Sequence, residues 1–175
     1  MSKQQPIPAP KNSGKKAGSL PLPPTSPNAD KTVLHVGCGG KDKRHLPKMF
    51  QGPDWKEIRL DIDPGAKPDI VSDIMDMAPV ATDSVDAVFS SHNVEHVYIH
   101  QVDTVLGEFF RVLKPGGTAV ITLPDLQAVG LLMGQGKLET PIYNSPAGPI
   151  SAMDILYGHT ASIARGQYYM AHKCG

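Results

Sequence analysis

Cysteine is nearly absent: Cys38 and Cys174 are the only two in 175 residues, far apart and without a C-x-x-C pair. That excludes a disulfide framework and a cysteine zinc site. Neither sign of charge is in excess, since seventeen Lys and Arg balance seventeen Asp and Glu. No overall field therefore draws the chain to nucleic acid or to an anionic membrane, and no nucleic-acid partner is expected. Long apolar runs are missing too. None approaches the ~18–20 residues that span a bilayer, and the N-terminus lacks the apolar stretch of a signal peptide. A soluble, cytoplasmic protein is expected. No internal repeat is present, and the length suits one domain with a real core.

What the chain does contain is unevenly spread. Residues 1–30 hold seven of the seventeen prolines, and Lys3, Lys11, Lys15 and Lys16 meet no acid before Asp30. Such a segment buries too little to offset its ordering entropy and is expected to be a disordered tail. Order begins at Lys31. The run "TVLHV" ends in the turn "GCGG" and has the pattern of a buried strand. "KEIRLDID" (56–63), "PDIVSDI", "SVDAVFSS" (84–91) and "TAVITLP" follow as four more. Between the last two, Val102, Val105, Leu106, Phe109, Phe110 and Leu113 recur at helical spacing, predicting one apolar stripe against a sheet. "KPGG" is expected to end that helix, with Gly116 as its cap. Strands alternating with helical segments predict an α/β, doubly wound, mostly parallel sheet with helices on both faces. Beyond Pro124, "LQAVGLLMGQGKL" and "ISAMDILYGHTASIA" suggest helices around the Pro-rich loop "TPIYNSPAGP", and the chain stops at "YMAHKCG" in mid-pattern, as a truncated end would.

In an open parallel sheet, ligands bind outside the carboxyl ends of the strands. Gly37-Cys38-Gly39-Gly40 follows strand one, where missing Cβ atoms allow a sharp turn and close approach to a ligand. Asp61, 24 residues after Gly37, ends strand two at a spacing suited to ribose hydroxyls. The third glycine of a dinucleotide fingerprint is replaced by Asp42, whose carboxylate would repel a pyrophosphate, although Lys41, Lys43 and Arg44 blunt that. The balance favours a ligand with a ribose and no phosphate.

Taken in order, "VLHVGCGG", "IRLDID", "IVSDI", "DAVFSSHNVEHV" and "EFFRVLKPGGTAVITLPDL" resemble the sequence blocks of class I S-adenosylmethionine-dependent methyltransferases, the type 11 group above all. The resemblance covers about 31–126, the expected cofactor-binding core, and leaves 127–175 as part of a substrate side. It implies a Rossmann-like sheet that binds S-adenosylmethionine, with Gly37, Cys38 and Gly39 under the methionine and Asp61 and Ile62 at the ribose. It also implies Asp73 and Ile74 at the adenine, and Ser91 and His92 beside the transferred methyl. His92 is the implied catalytic residue; imidazole, of ordinary pKa about 6.5, suits a base near neutral pH. Three positions depart from the pattern. His35 replaces an acid that often faces the methionine ammonium, "PGAKP" leaves no room for a helix between Asp63 and Asp69, and the two terminal antiparallel strands have no candidates before Gly175.

"SSHNVEHVYIH" also places His92, Glu95 and His96 in the H-x-x-E-H spacing of an inverted zinc-protease helix. His92 directly follows a strand, however, where helical geometry has not begun, so no metal ligand is expected. Cys38 and Asp86 are assigned structural roles, and His100, Asp103 and Glu108 a solvated surface. His159, Arg165, Tyr168 and Tyr169 are left open between an acceptor pocket and packing. The function expected is methyl transfer to a small-molecule, lipid or sugar acceptor. A methyltransferase-like binding module without activity, a nucleotide-dependent oxidoreductase and a zinc hydrolase are the alternatives.

Overall fold

The computed structural model describes residues 30–145 and 148–173. Nearly all of the expected N-terminal tail, and Cys174, lie outside the described residues. Five strands, β1 (Lys31–Val36), β2 (Trp55–Asp61), β3 (Ile70–Val71), β4 (Val85–Ser91) and β5 (Leu113–Thr122), form one sheet in the order β3-β2-β1-β4-β5. Every neighbouring pair is parallel. Val36 lies opposite both Leu60 and Ser90, and Ser91 opposite Thr122, so the carboxyl ends line up along one edge. The chain steps outward from β1 to β3, then returns to lay β4 on the other side of β1. This is the doubly wound arrangement, with its switch point between β1 and β4.

The period of two along the strands sorts the core. Leu34, Val36, Ile58, Leu60 and Val88 face α1 (Val102–Val112), which contributes Val105, Phe109 and Val112. Met77 and Val80, from the loop before β4, complete that cluster. Val33, Ala87 and Phe89 face the other way, onto Leu46 and Phe50. The second face is covered thinly, by the 3₁₀ turns Lys43–His45 and Lys48–Phe50, with Phe50 edge-on to Trp55 at 4.9 Å.

Several local expectations change. The buried stripe of α1 is narrower than the six predicted positions: Leu106 is exposed, Phe110 is 82% exposed, and Leu113 has already left the helix for β5. The helix ends at Val112, two residues before "KPGG" begins at Lys114. That tetrapeptide is instead looped out of β5, because Val85 pairs with Leu113 and Ala87 with Thr118. Pro115 cannot donate to a ladder, and Lys114 is turned onto Asp86, which also accepts from Thr32 N. Asp86 is thus engaged in the framework, as expected. Glu108 is not simply solvated. It accepts from Met77 N at 2.7 Å and pairs with Arg111, whose guanidinium also donates to the Met77 and Val80 carbonyls.

Beyond β5 come α2 (Leu126–Gly134), β6 (Pro141–Ser145), β7 (Gly148–Ser151), α3 (Ala152–Tyr157) and α4 (Thr160–Ala164). The expected Pro-rich loop is an antiparallel β6–β7 pair, separate from the main sheet. Both strands of a two-stranded ribbon are edges, so Pro141 and Pro149 are tolerated. The last helical stretch breaks at Gly158, where a Cβ would lie 2.1 Å from the Met170 carbonyl oxygen. This glycine lets residues 168–173 pass close by. Among the described residues, no helix is long and apolar enough to cross a membrane.

Candidate functional site

The site forms where β1 turns. Gly37 and Gly39 both have positive φ (60° and 52°), a conformation L-residues rarely adopt. The two glycines differ in their surroundings. A Cβ on Gly37 would fall 1.8 Å from Asn93 Oδ1, whereas one on Gly39 would meet open space. Asn93 occupies that gap because its amide donates across the switch point, to Val36 O at 2.9 Å on β1 and to Ser90 Oγ and Ser91 O on β4.

Asp61, only 8% exposed at the end of β2, accepts from Gly39 N at 2.7 Å and from Asp63 N at 2.9 Å. One carboxylate therefore ties the glycine turn to the loop after β2. Arg59 reinforces the same junction, donating to the carbonyls of Gly39, Lys41, Ala66 and Lys67. Ile62 follows Asp61 with its side chain 46% exposed, an apolar surface beside a buried carboxylate. Cys38 is fully buried, and burial pushes its thiol up to about 11 against the lowering effect of Arg59, so it is an inert small residue in the turn. The open face at Gly39, the acid at the end of β2 and the apolar Ile62 thus lie together at the carboxyl edge of the sheet.

Asp73 and Ile74 follow β3 at the same edge. Asp73 accepts from Met75 N, and Ile74 packs against the main cluster. Between Asp63 and Asp69 the chain makes only the 3₁₀ turn Pro64–Ala66. His35 is buried and its Nδ1 lies 2.7 Å from Glu57 Oε1, with the ring tilted against Phe89. Where the resemblance expects an acid, the chain thus has a histidine paired with an acid of the neighbouring strand.

On the β4 side, Ser91 Oγ accepts from Thr122 Oγ1 at 2.9 Å. His92 has φ 58° and its N–H bonds to Thr122 O, so it belongs to a turn and not to a helix. Its side chain is 54% exposed and lines a cavity of about 240 Å³ with Leu132, Ile142 and Tyr143. A second cavity, of about 300 Å³, is lined by Val94, Glu95, Ile99, Leu123 and His172 among others. Neither is lined by the glycine turn or Asp61; both lie toward α2 and α3.

The segment 168–173, which sequence patterns do not place, runs across these strand ends. Tyr169 O–H donates to Asp63 Oδ2 at 3.3 Å, and burial together with that carboxylate raises the phenol's pKa. Lys173 N donates to Glu95 O at 2.7 Å, and Ala171 O accepts from His96 Nδ1 at 3.2 Å. Tyr168 is exposed, while His159 and Arg165 both bond Ser162 Oγ. Glu95 is 3% exposed and neither of its oxygens has a hydrogen-bond partner. His92 Nδ1 stands 3.3 Å from Oε1, near enough for charge interaction but without hydrogen-bond alignment. Burial holds the His96 imidazole below its ordinary range, outweighing the Ala171 carbonyl and Glu95, which raise it.

A family model for the methyltransferase domain matches residues 34–121, half of the chain. No curated protein matches. Among solved structures, a chain from the complex of the Haloferax volcanii Trm112 methyltransferase activator with a methyltransferase is 22% identical, with TM-score 0.45 over 62% of this chain and 53% of that one. A SAM-dependent methyltransferase from Archaeoglobus fulgidus is 22% identical, with TM-score 0.43 over 54% and 45%. The PH0226 protein from Pyrococcus horikoshii OT3 is 19% identical, with TM-score 0.49 over 65% and 57%. The chain thus spans about half the length of these structures.

Proposed function

Because the chain belongs to the methyltransferase-domain family, we propose that it transfers a methyl group from S-adenosylmethionine to a small-molecule, lipid or sugar acceptor. The observation that carries this reading is the glycine turn at the switch point, open at Gly39 and held from behind by Asp61. Each Asp61 oxygen accepts one amide and keeps lone-pair capacity for a ribose hydroxyl. Ile62 and Ile74 offer apolar surface to the nucleoside, with Asp73 as a polar edge. When bound, S-adenosylmethionine supplies a methyl carbon made electrophilic by its sulfonium.

The protein's part is to align the acceptor and keep the site dry. In-line positioning contributes on the order of 7–11 kcal/mol to lowering such a barrier. An acceptor oxygen or nitrogen forms the new bond to carbon with its lone pair as the carbon–sulfur bond breaks. A hydroxyl or protonated amine must also lose a proton, and His92, exposed at the rim of the 240 Å³ cavity, is the group that takes it. Apolar lining in both cavities favours an acceptor with an apolar body.

Calorimetric titration of the full chain with S-adenosylhomocysteine and NAD tests the cofactor half of this reading. S-adenosylhomocysteine should bind at one per chain and NAD should not. NAD binding, or no response to either nucleoside, would overturn it. Binding of S-adenosylhomocysteine without turnover on any acceptor offered would favour a binding module over an enzyme.

A further inference from the structure

Sequence spacing directs attention to His92 and His96 as a metal pair, but the fold assembles a different set. Among the described residues, ligand atoms of Glu95, His96 and His172 all lie within 4.8 Å of one another. We propose that these three side chains bind one divalent first-row transition-metal ion, with Glu95 as a direct ligand. Zinc is the reference ion for this donor set.

Four features support the site. Glu95 is a buried carboxylate whose oxygens accept no hydrogen bond, with the largely exposed His92 at 3.3 Å as an ionic neighbour of Oε1, an arrangement that native structures seldom leave unexplained. His172 Nε2 points at it from 4.0 Å. His96 Nδ1 faces a carbonyl oxygen, which can only accept, so the ring's proton sits there and Nε2 presents its lone pair. A backbone carbonyl on the far nitrogen is the usual way a ligating histidine is oriented. The two rings stand 4.8 Å apart at 69°, edge to face, so they are not stacked against each other.

Two imidazoles and one carboxylate suit zinc and its first-row neighbours and do not suit calcium or magnesium. Ligands about 2.0–2.1 Å from a tetrahedral ion stand about 3.4 Å apart, so modest side-chain rotations would close the set. Glu95 and His172 also line the 300 Å³ cavity, so open coordination positions would face it. The ion would fasten segment 168–173 to the turn after β4, beside the bond from Lys173 N to Glu95 O. The inference rests on these residues alone and does not require the methyltransferase reading.

The test uses the full chain after treatment with a chelator, titrated with Zn²⁺ by calorimetry and with Co²⁺ by visible absorption. We expect one ion per chain and Co²⁺ bands typical of low coordination number. Glu95→Gln, which keeps the side chain's shape, and His172→Ala should each weaken binding about a hundredfold or more, while the exposed His100→Ala leaves it unchanged. If His172→Ala fails to fold, Glu95→Gln and the Co²⁺ spectrum still decide. Absence of stoichiometric binding, or binding that both variants leave intact, would overturn the site and leave a buried water as the partner of Glu95.

Discussion

Three neighbouring glycines allow the turn after β1 to be tested in graded steps. Gly40 has nothing within 4 Å of an added Cβ and no positive φ, so Gly40→Ala should be near neutral. Gly39→Ala also meets open space but must hold φ 52°, which costs an L-residue about 1–2 kcal/mol. Gly37→Ala carries the same conformational cost at φ 60° and also drives Cβ to 1.8 Å from Asn93 Oδ1. The Asn93 amide must then leave Val36 O, Ser90 Oγ and Ser91 O. Losing two of those hydrogen bonds adds about 1–3 kcal/mol, for a total of about 2–5 kcal/mol. That is a large share of the ~5–15 kcal/mol by which a domain is stable. Urea unfolding followed by the fluorescence of Trp55, the single tryptophan, measures each value. Removing Asn93 as well should relieve the clash, so Gly37→Ala/Asn93→Ala should lose less than the sum of its parts. Gly37→Ala and Gly39→Ala equal within about 0.5 kcal/mol, or strict additivity in the double variant, would refute the assigned role of Asn93.

Asp61→Ala should weaken S-adenosylhomocysteine binding at least tenfold and also lower stability, because its carboxylate holds the amides of Gly39 and Asp63; calorimetry and urea unfolding read the two effects. His92→Asn keeps a residue tolerant of φ 58°, so turnover should fall about 10²–10⁴-fold while nucleoside affinity stays level; an equal fall in both would make His92 a binding residue. Acid should loosen the start of α3. Burial opposes ionisation of Asp154, yet hydrogen bonds from Ser151 and Thr160 win and hold its carboxyl at about 2. Its folded pKa thus lies below the unfolded value near 3.8, so the stabilisation is complete above that pH and fades as pH falls toward about 2. Acid unfolding of Asp154→Asn should show that much less dependence in this window.

The sheet was legible because its signals are local. Each strand's apolar run and the glycine turn lie within a few residues. Elements fixed by distant partners were not legible. Glu108 looks solvated on its own helix, yet it accepts from Met77, 31 residues earlier. The "KPGG" segment has the composition of a helix cap, but Asp86 draws Lys114 sideways and the four residues become a bulge in β5. The β6–β7 pair was obscured because Pro141 and Pro149 normally signal a loop, a rule that weakens when both strands are edges.

The same limit governs the site. Gly37, Gly39 and Asp61 could be singled out because turn chemistry and a spacing along the chain mark them. Asn93 and Arg59 carry no such mark, although they fix the turn that those residues form. The H-x-x-E-H string shows the difference most clearly. As a pattern it puts the two histidines on one helical face, with the glutamate acting on water. The positive φ of His92 breaks that face, so the pattern fails as a helix. What it cannot show is that residues 168–173 return from about 75 positions downstream to set His172 against Glu95. A buried carboxylate without hydrogen bonds is then no longer the general base of an imagined protease. It becomes the charge on which its chain neighbour His96 and the distant His172 converge.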